Sequence, residues 1–196
     1  MLAGASTWYK GRALAAADAD GRGGLGCVIT FASGNDYNRC VSYPGNNVGV
    51  IGVGAIANTG VRSSYSNYGP ALDIVAPSNN VGGPGAGVRT TDRMGSNGHN
   101  NSNYTNTFGG TSSATPVVSG VAALLLGFNP SLTSDQVKNI LYSTAIDMGS
   151  SGYDTQYGNG RVNALAAIKA AGGTGGPTCS DGIQNGQETG VDCGGP

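Results

Sequence analysis

The feature that most constrains the fold is the run VGVIGVGAIA at residues 48–57, which holds only small or apolar side chains. A strand with one face in water alternates polar and apolar residues, so a continuous apolar run indicates a strand covered on both faces. Residues 27–32 and 72–76 show the same pattern, and helical patterns occupy residues 12–19 and 117–128. Because strands and helices alternate, the sequence predicts an α/β fold with a parallel sheet.

Composition limits the classes of partner. The 196 residues carry a formal net charge of -1 with only 11% charged residues, so we expect no nucleic-acid partner. The 36 glycines, with many Ser, Asn and Thr, indicate tight turns and an exported protein. The longest apolar run, residues 117–128, is shorter than the roughly 20 residues that span a bilayer, so we expect no membrane partner. We expect a monomer.

The end of the chain divides into three parts. Thr133 and Gln136 form a capping box that predicts a helix up to about Thr144, and a last helix is predicted over residues 163–171. The glycine-rich residues 172–178 predict a linker between a main domain, residues 1–171, and a partial Cys-containing module, residues 179–196. The first residues read as the interior of a longer domain, so we expect N-terminal truncation.

The four cysteines form two unlike pairs. Cys27 opens an apolar run and is predicted to be a buried free thiol, with a bridge to Cys40 as the alternative. Cys179 and Cys193 are predicted to form a disulfide that stabilises a module too small for its own core. A calcium loop is the alternative there, with the oxygen ligands Asp181, Asn185, Glu188 and Asp192.

The segment GGTSSATP at residues 109–116 has the residues that acyl transfer needs. A nucleophile at a helix N-terminus lies beside free N–H groups that can hold a developing oxyanion. Thr111 can cap the helix and Ser112 falls in its first turn. Pro116 disfavours a helical Thr115, so propensity alone predicts a later start. The alternative is an ordinary Thr-capped helix with no chemistry.

This segment resembles the nucleophile motif Gly-Thr-Ser-x-Ala-Ser/Thr-Pro of the subtilase family, and residues 110–116 match it completely. The resemblance implies an α/β three-layer parallel sheet of subtilisin type. It also implies a serine endopeptidase that hydrolyses polypeptides, with Ser112 as nucleophile and its backbone N–H as one oxyanion donor. Ser113 is the variable position of the motif. Val117 replaces a frequent histidine without touching a catalytic role.

A second resemblance lies in ASGND at residues 32–36, which follows a predicted strand as the family's oxyanion-hole asparagine does. It implies that Asn35 donates to the oxyanion; the alternative is a turn residue that tolerates a positive φ. Ala32, Ser33 and Gly34 are then expected to form one wall of the primary specificity pocket, with Ser42 near its base. A third matching stretch, SYSNYGPALDIVAP, occupies residues 64–77.

The resemblance also extends to a weak cation site. Asp73, with carbonyls near Gly45, Asn47 and Val50, matches a site found in some subtilases, and a solvated or capping aspartate is the alternative. We therefore expect no required cofactor, with a structural Ca²⁺ as the one candidate ion.

The catalytic triad is incomplete in this sequence. A serine nucleophile needs a histidine base held by a carboxylate, and the family places both before the oxyanion asparagine, where neither motif occurs. His99 is the only histidine and lies in the polar loop SNGHNNSNY, so we expect a solvated residue. The chain as given is expected to be inactive. The alternative function is a naturally short subtilase-like module that binds peptides.

A dinucleotide fingerprint is also excluded. Gly52, Gly54 and Ala57 satisfy G-x-G-x-x-A after an apolar strand, and Asp73 follows at a suitable distance. The next residues show no helical periodicity, so phosphate would find no helix N-terminus.

Overall fold

The computed structural model describes residues 2–80 and 86–172, with side chains from residue 10 onward. The predicted linker and Cys-containing module, with the pair Cys179 and Cys193, lie outside the described residues apart from residue 172. The helices are α1 (Leu2–Gly24), α2 (Thr111–Phe128), α3 (Ser134–Ser143) and α4 (Ala164–Ala170). The strands are β1 (Ile29–Ala32), β2 (Val50–Ile56), β3 (Ile74–Pro77), β4 (Val88–Thr91) and β5 (Tyr104–Phe108).

The core of the fold is a three-stranded parallel sheet in the order β1-β2-β3. All seven residues of the central strand β2 are buried, as its continuous apolar sequence predicts. The predicted strands are confirmed with ends shifted by up to two residues. The strict alternation was wrong, because loops rather than helices join β1 to β2 and β2 to β3.

Helices cover the sheet on both faces, which confirms the α/β fold. On one face the side chains of α2, α3 and α4 pack against β2 and β3 around Leu125, Val137 and Leu141, all fully buried. Successive residues of β1 point to opposite faces of the sheet. Thr30 forms a hydrogen bond with Ser119 of α2, whereas Phe31 lines a cavity with Leu14 and other residues of α1. The sheet therefore lies between α1 and α2.

Tertiary packing decides where α2 begins. The helix begins at Thr111 and includes Pro116, which removes the N–H that would bond the Ser112 carbonyl. The buried contacts of Ala114 and Val118 stabilise this turn in spite of the proline. By length and composition α2 could cross a membrane, but it packs against β1, β2 and β3 as a core helix does.

The last two helices begin after capping residues. The Thr133 hydroxyl accepts from Gln136 N at 3.2 Å, and Gln136 Oε1 accepts from Thr133 N at 2.8 Å. Asn163 caps α4 by accepting from Ala166 N at 3.2 Å. The predicted capping box is confirmed, because it needs only four consecutive residues, and the last helix lies within its predicted range.

Two other features of the fold differ from the sequence analysis. The antiparallel pair β4–β5 was not predicted, and it carries the loop that contains His99. Cys27 and Cys40 are both free, so the bridged alternative is wrong, and Cys27 is half-buried rather than fully buried.

Candidate active site

The α2 N-terminus presents Ser112 to solvent. Gly110 precedes the helix with φ 81°, a conformation that side chains other than glycine disfavour, and Thr111 is the first helical residue. Ser112 follows in the first turn and is exposed. Within the part of the chain that the structure describes, neither its hydroxyl nor its backbone N–H has a hydrogen-bond partner. Both groups are therefore open to a ligand.

The neighbouring Ser113 points the opposite way. It is 3% exposed, and its Oγ lies 2.6 Å from Ser78 Oγ and donates to the Gly110 carbonyl at 3.1 Å. These bonds hold the helix start against the segment after β3. Ser112 is therefore open to solvent, whereas Ser113 is a buried structural residue. The motif likewise implies the nucleophile at Ser112 and a variable residue at Ser113.

Asn35 lies beside the start of α2, three residues after the end of β1. Its Oδ1 accepts from Thr111 N at 2.8 Å and from Thr111 Oγ1 at 3.0 Å. Since Thr111 fixes the amide oxygen in this way, the orientation of Nδ2 is fixed as well, and both amide atoms lie close to Gly110. Among the described residues no acceptor bonds this Nδ2.

The prediction that Thr111 caps α2 was wrong. The N-cap is Gly110, without a side-chain cap, and the Thr111 hydroxyl accepts from Gly34 N at 3.3 Å while donating to Asn35. Thr111 therefore joins the β1 loop to the helix. As a result, the amide of Asn35 and the backbone N–H of Ser112 lie at the same helix N-terminus, where partial positive charge favours an anion.

Asn67 holds the loop that carries Asn35, and sequence reasoning missed it. This side chain is 1% exposed, and its Oδ1 accepts from Asp36 N and Asn38 N, both at 2.9 Å. Its backbone N–H donates to Gly34 O at 2.9 Å. The residues on both sides of Asn35 are therefore fixed by one buried asparagine. The one sequence signal for Asn67 was that it lies in the third matching stretch, residues 64–77, to which the sequence analysis assigned no function.

The predicted specificity residues lie together at the end of β1. Ser42 N donates to Ser33 O at 2.8 Å, and Asn67 Nδ2 donates to Ser42 Oγ at 3.2 Å. Gly34 has φ 108°, and a Cβ there would lie 2.6 Å from Ser42 Oγ. Ala32 ends the strand directly before them. The structure thus brings the four residues together, and their role in specificity stays a prediction.

His99 lies beyond the opposite end of β5 from this site. It is exposed in the loop between β4 and β5, where Asp92 Oδ2 accepts from the neighbouring Asn100 N at 2.9 Å. Strand β5, about 17 Å long at roughly 3.4 Å per residue, separates that loop from the start of α2. The surroundings match the solvated residue that the sequence predicts.

Asp73 lies just before β3, in a cavity of about 420 Å³ that Gly45, Asn47 and Val50 also line. The structure therefore brings together the residues of the predicted cation site. Burial raises the pKa of the Asp73 carboxyl above its ordinary value, against hydrogen bonds from Gly52 N at 2.7 Å and from the Tyr142 hydroxyl. Burial, and then the negative charge of Asp73, raise the pKa of Tyr142.

An exposed serine at a helix N-terminus, with an amide donor fixed beside it after a parallel strand, is the kind of arrangement that a serine nucleophile and an oxyanion hole require. More specifically, the chain belongs to the Subtilase family (Peptidase_S8), whose model matches residues 3–160.

Similar proteins agree with this family. The chain is 43% identical to a calcium-dependent protease of Trichormus variabilis, over 77% of this chain and 26% of that protein. It is 39% identical to Subtilisin BL of Lederbergia lenta, over 74% of this chain and 47% of that protein. A solved protease structure from Pseudoalteromonas arctica PAMC 21717 has 36% identity and a TM-score of 0.62, over 74% of this chain and 42% of that one. The chain thus spans a quarter to a half of these relatives.

Proposed function

We propose that this chain is the part of a serine endopeptidase that carries the nucleophile Ser112 and the oxyanion hole. The supporting observation is that two donors without acceptors, Asn35 Nδ2 and the Ser112 N–H, lie at one helix N-terminus beside an open hydroxyl. Donors fixed in advance stabilise a charge that appears only when the serine attacks a peptide carbonyl.

In this mechanism a base removes the Ser112 proton while Oγ forms a bond to the carbonyl carbon. The carbonyl oxygen becomes an oxyanion held by Asn35 and the Ser112 N–H, and collapse of this intermediate expels the amine, which takes the proton. We propose that the histidine base and its carboxylate come from polypeptide outside this chain, since His99 is exposed at the far end of β5.

An uncovered apolar surface supports the proposal that further polypeptide packs against this chain. The outer face of α2 exposes Val117, Leu124 and Phe128 at 39%, 55% and 51%, although the helix is strongly apolar. On the other side of α2, where Ser119 and Leu126 lie near Thr30, β1 is an edge strand within the described sheet. The apolar helix face and the free strand edge are two separate surfaces suited to further strands and helices, which can bring the base to Ser112.

We also propose a polypeptide substrate, bound against residues 32–34 and Ser42, and an exported bacterial enzyme. The proposed pocket lies at the end of β1, directly beside the oxyanion donors. The composition of the chain, poor in charge and rich in glycine, supports export.

A fluorophosphonate probe tests the proposal, because it reacts with a serine only when a base activates the hydroxyl. The chain alone should not be labelled, whereas the chain joined with a subtilase N-terminal half should be labelled at Ser112. Labelling should be lost in Ser112→Ala and retained in Ser113→Ala, the matched control.

Labelling that survives Ser112→Ala contradicts the assignment of the nucleophile. Efficient labelling of Ser112 in the isolated chain contradicts the need for an outside base. If the joined protein binds peptides but is never labelled, the chain is instead a peptide-binding module.

A further inference from the structure

A second charged site lies away from the nucleophile, in the cavity beside Asp73. Its lining includes Asp18 of α1, Asp135 and Lys138 of α3, and residues 45–50 of the loop before β2. Three carboxylates and one ammonium therefore face a common space of about 420 Å³. Carboxylates drawn out of water are costly unless a positive charge accompanies them.

Lys138 supplies a positive charge inside this cavity. The residue is only 8% exposed, and its Nζ lies 2.8 Å from Asp18 Oδ1 and 3.3 Å from Asp135 Oδ1. The Ser134 hydroxyl donates to the same oxygen of Asp18 at 2.9 Å. The Asp18 pair is the stronger of the two contacts, because the Asp18 side chain is 24% exposed and that of Asp135 is 82% exposed.

The remaining carboxylate, Asp73, is already hydrogen-bonded. Its Oδ2 accepts from Gly52 N at 2.7 Å, the Tyr142 hydroxyl donates to it, and the charge of Lys138 also acts on it. Calcium needs six to eight oxygen ligands at roughly 2.3 to 2.6 Å. Although three carboxylates line this cavity, no three His, Cys, Asp or Glu side chains in the described part of the chain are grouped so that they could hold a metal ion. With the Lys138 ammonium among them, the side chains here do not fit a metal ion.

We propose that Lys138 is a built-in cation for this cavity, and that no metal ion binds at Asp73. An ammonium on the chain neutralises the partly buried carboxylates without recruitment from solution. It also repels a divalent ion that approaches the same oxygens. This inference is independent of the proposed peptidase activity, because it concerns only the stability of the fold.

Calcium-dependent thermal unfolding of the full chain tests the inference with four proteins: wild type, Asp73→Asn, Lys138→Met and Lys138→Arg. Calcium should change the Tm of wild type and Asp73→Asn equally, because calcium bound elsewhere acts on both. Lys138→Met keeps the side-chain length but removes the charge, so its cavity should gain calcium affinity. At about ten times the Kd, its Tm should rise by a further 3 to 6 °C, roughly.

Lys138→Arg, the matched control, keeps the charge and should respond to calcium as wild type does. The additional response of Lys138→Met should disappear in the double variant Lys138→Met/Asp73→Asn. A calcium shift larger in wild type than in Asp73→Asn overturns the inference, since it places a metal at Asp73. A folded Lys138→Met without additional response also overturns it. If Lys138→Met does not fold, the calcium-dependent Tm shifts of wild type and Asp73→Asn decide the question: equal shifts support the inference, and a larger shift in wild type overturns it.

Discussion

Replacement of Asn67 by alanine tests how the loop that contains Asn35 is held. The asparagine Oδ1 accepts from Asp36 N and Asn38 N at 2.9 Å each, and Nδ2 donates to Ser42 Oγ at 3.2 Å. Alanine leaves two partly buried N–H groups without acceptors, at about 1 to 1.5 kcal/mol each, plus the loss of the Ser42 bond. We therefore expect unfolding to be easier by about 2 to 4 kcal/mol, or roughly 4 to 16 °C in Tm.

Urea unfolding of the full chain measures this free energy. Asn139→Ala is the matched control, because Asn139 is an exposed asparagine within α3 and its replacement should change stability by less than about 0.5 kcal/mol. A loss below about 1 kcal/mol in Asn67→Ala, or an equal loss in the control, would show that the loop does not depend on this side chain.

Three further predictions concern the catalytic roles and the capping box. In a catalytically complete enzyme, Asn35→Ala should lower kcat by roughly a hundred- to a thousandfold, the magnitude known for a subtilisin, with little change in KM. An unchanged kcat in Asn35→Gly would instead make Asn35 a turn residue. His99→Ala should leave turnover nearly unchanged in the same enzyme, and a thousandfold drop with folding intact would identify His99 as a base. Thr133→Ala should lower the free energy of urea unfolding by about 1 kcal/mol, because Gln136 N loses its hydroxyl acceptor. An unchanged free energy of unfolding would show that this cap does not stabilise α3.

The sequence alone determined the elements whose signals are local. The capping box of Thr133 and Gln136 fixes the start of α3, because its two hydrogen bonds lie within four consecutive residues. The apolar run of β2 determined a strand covered on both faces, because no polar residue in it could face water. The motif around Ser112 likewise predicted that this serine lies at a helix start, where the structure has it.

Only the tertiary structure decided how distant segments complete the site. Thr111 reads as a cap in sequence, yet its hydroxyl bonds Asn35, a partner 76 positions away. Asn67 bonds Asp36 and Asn38 across 31 and 29 positions, and no local pattern encodes such contacts. The β4–β5 pairing and the ion pair of Lys138 with Asp18 also join residues that are not neighbours in sequence. Local signals report the backbone that a few residues prefer, whereas a hydrogen bond or ion pair between distant segments exists only once the sheet and α2 are packed.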